Sequence, residues 1–165
     1  MYSNPIVQAA TTKEDIDKCM EVRIAVFVDE QKFPLHTETE DEYNDNSDYW
    51  LATCEKTSVD GKTTERVPVG TVRLITISNK IAKLGRLAVL SDCRGMYLGR
   101  QLVKTLINDA ANRGMVDVVI HSQYERRGFY EKLGFVIEKG DEETFLEDDA
   151  PHIRMWLRNI HEKKE

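Results

Sequence analysis

The chain has 165 residues, of which 41% are hydrophobic and 32% are charged, and its formal net charge is −6. This length fits a single domain with one hydrophobic core, and the composition is that of an ordinary globular protein rather than a disordered chain. Because an acidic chain with dispersed Lys and Arg residues lacks the basic face that phosphate neutralisation requires, we expect no nucleic-acid partner.

Membrane insertion and disulfide bonding are also not expected. No stretch approaches the roughly eighteen consecutive apolar residues of a transmembrane helix, and the amino-terminal residues lack the basic and apolar regions of a secretory signal. The three cysteines, Cys19, Cys54 and Cys93, are far apart and show neither Cys-x-x-Cys spacing nor a matching His pair. They predict no metal site and indicate a reducing, cytoplasmic compartment.

The first predicted element is a helix at about residues 13–28. Thr12 and Asp15 resemble a capping pair at its start. Apolar residues recur after them at helical spacing, at Ile16, Cys19, Met20, Ile24, Phe27 and Val28. The acidic and polar segment at 36–48 has little periodicity and predicts a surface loop or a broken short helix.

Three strands are predicted next, at 49–55, 67–77 and 81–90. Turn residues separate them, at Asp60-Gly61 and Asn79-Lys80. Strand-like runs separated by turn residues indicate hairpins, so we expect three adjacent antiparallel strands.

The second half of the chain predicts a crossover. An amphipathic helix begins near Leu98 and ends near Gly114, where glycine supplies a left-handed cap. The apolar run at 116–120 directly after it predicts a buried strand, which a strand-helix-strand crossover pairs in parallel with an earlier strand. A helix at 127–133 and strands at 135–138 and 152–157 complete the predicted α/β arrangement.

The turn before this long helix is a candidate anion site. Its sequence is Arg94-Gly95-Met96-Tyr97-Leu98-Gly99-Arg100, and Leu87-Ala88-Val89 precedes it. Successive backbone N–H groups converge at a helix amino terminus, where they and the helix dipole favour phosphate oxygens. A nucleotide-phosphate enzyme is disfavoured, because the chain has neither a Gly-x-x-x-x-Gly-Lys-Ser/Thr run nor a dinucleotide fingerprint after an amino-terminal strand.

These motifs together resemble the GNAT acetyltransferase superfamily. The turn is similar to its Arg/Gln-x-x-Gly-x-Gly motif, and Phe129-Tyr130-Glu131-Lys132-Leu133-Gly134-Phe135 is similar to its Phe-Tyr-x-x-x-Gly-Phe motif. Two further segments resemble the ElaA-like branch, namely Val26-Phe27-Val28-Asp29-Glu30-Gln31 and, after an acidic stretch, Pro151-His152-Ile153-Arg154-Met155. The resemblance covers about residues 20–157.

The resemblance implies a fold and an activity. The expected fold is α/β (α+β), with a mixed, mostly antiparallel sheet of six to seven strands flanked by about four helices, in a single N-acetyltransferase domain at 1–165. The expected activity is transfer of an acetyl group from acetyl-CoA to a primary amine by direct attack in a ternary complex. The acceptor, a small molecule or a protein, stays open, and either a monomer or a homodimer is compatible.

The resemblance also implies cofactor contacts. The backbone amides from Met96 to Arg100 would hold the pyrophosphate of coenzyme A, and the strand segment before the turn would pair with the pantetheine amides. The implied cofactor-binding residues are Leu87, Ala88, Val89, Arg94, Gly95, Met96, Tyr97, Leu98, Gly99, Arg100, Gln123 and Tyr130. Tyr97 departs from the family, which usually has glycine there, and tyrosine would tolerate a positive φ poorly.

Catalytic roles follow from the same resemblance. Tyr130 is the candidate proton donor to the leaving thiolate, and a backbone N–H near Leu87 or Ala88 is the candidate oxyanion donor. Where many relatives have a glutamate, this chain has Lys83-Leu84-Gly85-Arg86, so the base is left open between Glu30 and His121. Phe27, Glu30, Gln31 and His152 are expected to line the acceptor pocket. The missing glutamate and Tyr97 favour an alternative, a non-catalytic acyl-CoA sensor or scaffold.

Overall fold

The computed structural model describes residues 1–162, so the last three residues of the predicted domain lie outside the described residues. The strands are β1 (Tyr2–Ala10), β2 (Asp48–Thr57), β3 (Thr64–Thr76), β4 (Ile81–Val89), β5 (Asp117–Gln123), β6 (Phe145–Glu147) and β7 (Ala150–Leu157). The α-helices are α1 (Lys13–Arg23), α2 (His36–Thr39), α3 (Leu98–Asn112) and α4 (Arg127–Glu131). A π-helix (Ile24–Glu30) follows α1 directly, and short 3₁₀-helices lie at Asn44–Asn46, Ser91–Met96, Tyr124–Arg126 and Ile160–Glu162.

The strands form one seven-stranded sheet in the order β1-β2-β3-β4-β5-β7-β6. β4 and β5 are parallel, whereas β1 with β2, β5 with β7, and β6 with β7 are antiparallel. The parallel pair is joined by α3, so the predicted crossover is confirmed. The predicted mixed sheet of six to seven strands with about four helices is also confirmed.

The chain divides into two compact units. The first comprises Met1–Arg73 and Arg86–Thr105, and the second comprises Leu74–Gly85 and the chain from Leu106 onward. β3, β4 and α3 each continue from one unit into the other. The single domain at 1–165 therefore stays a prediction, and the two units are described separately below.

In the first unit, α1 begins as predicted. The Thr12 hydroxyl oxygen accepts a hydrogen bond from the Asp15 backbone N–H at 3.1 Å, which satisfies one of the free donors at the helix start. The apolar side of α1 packs against β2 through Cys19, Tyr49 and Leu51, all of them buried. This burial holds α1 on the sheet.

The predicted helix at 13–28 extends to Glu30 and changes its geometry at Ile24. Gln31 N–H donates to the carbonyl of Val26, five residues earlier, at 3.0 Å, which is the hydrogen bond of a π-helix. The apolar spacing of the sequence fits an α-helix and a short π-helix equally well, so it could not predict this change. The segment at 36–48 contains α2 and a 3₁₀-helix, which confirms the broken short helix as opposed to a plain loop.

A buried ion-pair network attaches α2 and the residues after it to the sheet. Arg23 Nε donates to Glu38 Oε1 at 2.8 Å, and Asp41 Oδ2 accepts from Arg73 and Arg86 at 2.8 Å each. Burial by itself would raise the pKa of the Asp41 carboxyl, but the hydrogen bond from Arg73 and the charges of both arginines lower it below its ordinary value. Detaching the segment that contains Glu38 and Asp41 would leave buried arginines without a compensating charge, which is costly. The network therefore holds the segment after the π-helix in place.

The three cysteines all lie in the first unit and are free and fully buried. The Cys19 thiol donates to the Trp50 carbonyl at 3.7 Å, and the Cys54 and Cys93 thiols are hydrogen-bonded to each other. Burial raises the pKa of Cys19 and of Cys93 to about 11 and also raises that of Cys54. The three thiols therefore stay protonated at neutral pH, and none is a nucleophile because only the thiolate reacts.

β1 is a strand that the sequence analysis did not predict. Its side chains are mostly exposed, and the pairing with β2 shifts between Ser3 and Ile6, where Asn4 has a φ of 50°. Because Pro5 interrupts the run and no face alternates between apolar and polar, the sequence lacks the usual period-two signal. The strand is specified by backbone pairing with residues far along the chain.

In the second unit, the predicted strand at 135–138 is wrong. Val136 exchanges backbone hydrogen bonds with Trp156 at 2.8 and 2.9 Å, but this is an isolated bridge. Gly134 and Gly140 both have positive φ values, 97° and 99°, so the backbone turns on either side of the bridge. The strand that pairs with β7 on the edge opposite β5 is instead β6, and β7 itself begins at Ala150 rather than His152.

Candidate active site

The turn between β4 and α3 presents backbone N–H groups that the helix does not use. Tyr97 has left-handed φ and ψ values of 59° and 21°, and it lies between a 3₁₀-helix that ends at Met96 and the first residue of α3. The first helical hydrogen bond runs from Gln101 N–H to the Tyr97 carbonyl at 3.1 Å. The N–H groups of the residues before Gln101, Leu98–Arg100, therefore have no acceptor within the helix. A right-handed residue followed by a left-handed one at a helix start is the arrangement that binds phosphate groups.

Tyr97 adopts the positive φ that tyrosine was expected to tolerate poorly. Its side chain is 77% exposed, so the ring does not pack into the core. The backbone donors are present despite the tyrosine, and the strain of a non-glycine residue in this region is the cost. The tyrosine therefore changes the energy of the turn and leaves its donors in place.

Arg94, the first residue of the turn motif, ties the turn to the end of the π-helix. Its two terminal nitrogens donate to both carboxylate oxygens of Glu30 at 2.7 Å, and its Nε donates to the Val89 carbonyl at 3.1 Å. Beside this pair, an open cavity of about 350 Å³ lies between the π-helix and the segment from Leu90 to Asp92. Because both oxygens of Glu30 are engaged by a guanidinium, Glu30 is a poor proton acceptor in this arrangement.

β4 contains an extra residue before the turn. Two backbone hydrogen bonds mark the ends of the β3–β4 hairpin: Ile77 N–H donates to the Ile81 carbonyl, and Leu90 N–H donates to the Val69 carbonyl. Between these two bonds, β4 contains one residue more than β3. Arg86 has a φ of 51°, which identifies it as the bulge residue. Because a bulge leaves backbone groups of the strand unpaired, it can free an N–H near Leu87 or Ala88, as the expected oxyanion donor requires.

The parallel pairing of β4 with β5 is short. Within the described residues it covers Ile81–Leu84 and Asp117–Ile120. The segment Leu87-Ala88-Val89 lies beyond the end of this pairing, and among its residues Ala88 is buried. The part of β4 that the resemblance assigns to pantetheine therefore makes no backbone pairing with β5.

In the second unit, His121 and His152 lie on either side of Glu147. His121 Nδ1 is 3.0 Å from Glu147 Oε1, and His152 Nε2 is 3.7 Å from Glu147 Oε2. Burial would raise the pKa of Glu147, but the hydrogen bond from His121 and nearby positive charges, including Lys83, lower it below its ordinary value. Within residues 1–162, no three His, Cys, Asp or Glu side chains are grouped so that they could hold a metal ion.

Tyr130 lies at the end of α4, with its ring packed edge-on against Phe129 and Phe135 at 5.0 and 5.8 Å between centroids. Burial of the phenol raises its pKa far above the ordinary value, and the charge of Arg126 opposes this only in part. The phenol is therefore protonated at any pH at which the protein would work, as a proton donor must be. Gln123 is the last residue of β5 and pairs with His152 of β7.

The structure brings some predicted residues together and buries others. Phe27 packs with Val26 and Ala88 in the core and is 8% exposed, and the Arg86 guanidinium lies 6.0 Å from its ring centroid. Gln31 follows the π-helix as its cap. Glu147 was missed by the sequence analysis, which treated its surroundings only as an acidic stretch, because Asp148-Asp149 is not one of the glycine-containing pairs that mark a two-residue hairpin loop.

The comparisons with known proteins identify the family. The profile of the Acetyltransferase (GNAT) family matches residues 16–135. The chain belongs to the GNAT acetyltransferase family. A protein of Bacillus subtilis (strain 168) that bears an acetyltransferase name is 33% identical to this GNAT enzyme over 149 residues, which are 90% of this chain and 93% of that protein. The family membership predicted from the motifs is confirmed.

Solved structures confirm the GNAT fold. A Lactobacillus plantarum crystal structure named for an N-acetyltransferase has a TM-score of 0.78 at 24% identity and covers 95% of this chain and 99% of that chain. Escherichia coli ElaA has a TM-score of 0.70 at 22% identity and covers 93% of this chain and 99% of that chain. An aminoglycoside 6′-N-acetyltransferase complexed with coenzyme A has the same fold, with a TM-score of 0.65 at 18% identity and coverage of 93% and 96%.

GNAT enzymes transfer acyl groups from acyl-CoA to amines, and acetyl-CoA is the family's cofactor. The residues of this chain fit the diphosphate of that cofactor, because the start of α3 presents backbone donors that the helix itself does not use. Each helix within residues 1–162 is too short or too polar to span a bilayer.

Proposed function

We propose that this GNAT enzyme acetylates a primary amine by direct attack of the amine on acetyl-CoA in a ternary complex. The observation that supports this most directly is the turn at Tyr97, whose left-handed backbone and following helix start present N–H groups without an acceptor in the helix. Such donors bind a diphosphate regardless of the side chains around them. The other cofactor-binding residues, including Leu87–Val89 and Gln123, are proposed from the family resemblance.

The acetyl donor supplies a thioester carbonyl as the electrophile, and the protein supplies proton transfer and hydrogen bonds. His121 is the proposed base, because its ring is only partly buried whereas both oxygens of Glu30 are bound by Arg94. Tyr130 is the proposed proton donor, since burial keeps its phenol protonated. The backbone N–H groups that follow the bulge at Arg86 are the proposed oxyanion donors.

The acceptor amine, the compartment and the assembly are also proposals. Acidic side chains near Glu30, including Asp29 and Asp92 around the cavity, would attract a cationic amine from a polyamine, an aminosugar or a protein side chain. Three free, buried cysteines support a cytoplasmic location. A monomer or a homodimer is compatible with this chemistry.

A non-catalytic acyl-CoA sensor is the second candidate. One observation favours it: Arg94 forms an ion pair with Glu30, which is one of the two candidate bases. A sensor would bind acetyl-CoA but would release no thiol in response to amines.

Two measurements test the proposal. Calorimetric titration with acetyl-CoA should show saturable binding, and spermidine, glucosamine and a lysine-containing peptide should then be compared for amine-dependent release of free thiol. Saturable binding with thiol release supports the transferase. Binding without thiol release for every amine supports the sensor, and no binding at millimolar acetyl-CoA refutes both.

A further inference from the structure

Two histidine rings, from two other strands, lie next to the Glu147 carboxylate. Glu147 is on β6, His121 is on β5, and His152 is on β7. Phe145 packs edge-on against the His121 ring at 5.0 Å and is stacked on the His152 ring at 6.3 Å between centroids. The cluster is therefore held by sheet pairing and by ring contacts as well as by charge.

The neighbours of His121 define its tautomer. A carboxylate can only accept a hydrogen bond, so the 3.0 Å contact with Glu147 requires the proton of His121 to be on Nδ1. A guanidinium can only donate, and the long 3.5 Å contact between Arg154 Nε and His121 Nε2 is consistent with a free lone pair on Nε2. Both contacts therefore fit the same neutral ring, with Nε2 as the basic atom.

His152 has the same protonation pattern. Its Nδ1 donates to the Ala150 carbonyl at 2.8 Å, which leaves Nε2 directed towards Glu147 Oε2 at 3.7 Å. That separation is too long for a hydrogen bond but short enough for strong attraction once Nε2 is protonated. Glu147 can thus stabilise a positive charge on either ring, and the two rings compete for it.

We propose that Glu147 and Arg154 are positioning residues that hold His121 as the Nδ1-protonated neutral imidazole, with Nε2 as the general base of acetyl transfer. The inference rests on the proposed function and deepens it by stating how the base is prepared. His121 Nε2 accepts a proton from the acceptor ammonium, directly or through water, and the resulting imidazolium is stabilised by Glu147. The proton then leaves to solvent, and the acceptor is left as an uncharged amine with the free electron pair that nucleophilic attack requires.

Arg154 has to give up its contact with Nε2 when the base works. The 3.5 Å separation is at the upper limit of a hydrogen bond, and the Arg154 side chain is 44% exposed. Its Nη1 also lies 3.3 Å from Asp141, which gives the guanidinium a second anchor. An incoming amine or water can therefore replace Arg154 at Nε2 without leaving a buried charge.

The charged groups around His121 act in opposite directions. Glu147 stabilises the imidazolium, whereas the Arg154 guanidinium destabilises it, and the positive charges of Lys83 and of a protonated His152 act on the Glu147 carboxylate. Removing the Glu147 charge should therefore move the titration midpoint of His121 to lower pH, and removing the Arg154 charge should move it to higher pH. A purely structural role for either residue predicts no such pair of opposite shifts.

The test uses the full chain with ¹⁵N-labelled histidine and the variants Glu147→Gln and Arg154→Gln. Two-bond ¹H–¹⁵N spectra should show His121 protonated at Nδ1 in the wild type and a mixture of tautomers in Glu147→Gln. The control is Glu143→Gln, which removes one exposed carboxylate from the same segment and should leave the His121 signals unchanged. Circular dichroism confirms that each variant is folded.

Kinetics with acetyl-CoA and the best amine of the panel test the catalytic consequence. The acidic limb of the pH profile of kcat/KM should move with the His121 midpoint, in opposite directions in the two variants. In Glu147→Gln, kcat at pH 7 should fall about 10²-fold, the low end of general-base contributions, with the KM for acetyl-CoA unchanged. A reduced kcat in the variants, with the acidic limb of kcat/KM at the same pH as in the wild type, contradicts the proposal.

The spectra separate this proposal from the proposed function. A wild-type His121 protonated at Nε2, or a His121 signal unaffected by Glu147→Gln, overturns the positioning role even if the protein is a transferase. Absence of amine-dependent thiol release from the wild type refutes the proposed function and the role of His121 as base. The same spectra then show whether Glu147 orients the ring.

Discussion

Replacing Tyr97 with glycine should stabilise the enzyme. A non-glycine residue in the left-handed region costs about 1–2 kcal/mol, and Tyr97 has a φ of 59°. Glycine gains about 0.5–1 kcal/mol of chain entropy in the unfolded state, which offsets part of this relief. The ring is 77% exposed, so little burial is lost. The net increase in the free energy of unfolding is about 0.5–1 kcal/mol.

The assay is urea unfolding followed by fluorescence of the two tryptophans, together with thermal unfolding. For a chain of this size, about 0.5–1 kcal/mol corresponds to a rise in Tm of about 1–4 °C. Tyr97→Val places a β-branched residue at the same φ and should destabilise by about 1 kcal/mol or more. The matched control is Asp92→Gly, an exposed position in the same turn without a positive φ, which should destabilise by about 0.5–1 kcal/mol.

Acetyl-CoA affinity provides a second measurement on the same variants. Because the N–H groups at the start of α3 do not depend on the side chain of residue 97, the Kd of Tyr97→Gly should stay within about threefold of the wild type. Equal destabilisation by Tyr97→Gly and Asp92→Gly would refute the strain argument. A stable Tyr97→Val protein would refute it as well.

Three further substitutions test other parts of the site. Glu30→Gln weakens the half-exposed pair with Arg94, so the KM for acetyl-CoA should rise about two- to fivefold with little change in kcat. Asp41→Asn removes a buried partner of two arginines and should lower the free energy of unfolding by about 3–5 kcal/mol. Because the folded state lowers the pKa of Asp41, the stability that this carboxylate contributes is complete above about pH 4 and is lost as the pH falls through its folded-state pKa. Between these pH values, the urea midpoint of the wild type should therefore fall more steeply than that of Asp41→Asn. Tyr130→Phe should lower kcat about 10²-fold between pH 6 and pH 9, because the phenol stays protonated throughout.

Each of these expectations has an opposite outcome. A large loss of kcat in Glu30→Gln, with a changed acidic limb, would make Glu30 the base in place of His121. An Asp41→Asn protein as stable as the wild type would show that the arginines find other partners. Unchanged turnover of Tyr130→Phe at every pH would remove Tyr130 from the mechanism.

The sequence predicted those parts of the fold that depend on local patterns. The crossover helix is strongly amphipathic, its glycine end is a local signal, and the turn before it has a recognisable motif. The Tyr97 departure could also be stated in advance, because the αL region disfavours tyrosine whatever surrounds it. What the sequence could not show was that the chain adopts this conformation and turns the ring to solvent.

The missed features depend on pairing between distant residues. β1 has no period-two pattern and exists through its hydrogen bonds to β2. β6 has three residues and is formed by a hairpin whose loop residues, Asp148 and Asp149, both have positive φ. Glu147 could not be recognised as a partner of His121, 26 residues away in sequence, until this hairpin was placed beside β5 and β7.

The buried cysteines have a practical consequence for enzymology on this protein. With a pKa of about 11, roughly one Cys93 side chain in 10⁴ is ionised at pH 7, and the side chain has no exposed surface. A disulfide reagent such as Ellman's compound should therefore react with coenzyme A while leaving the folded polypeptide untouched. Colour development can then be followed continuously without a protein blank, and a slow background signal would report unfolding rather than turnover.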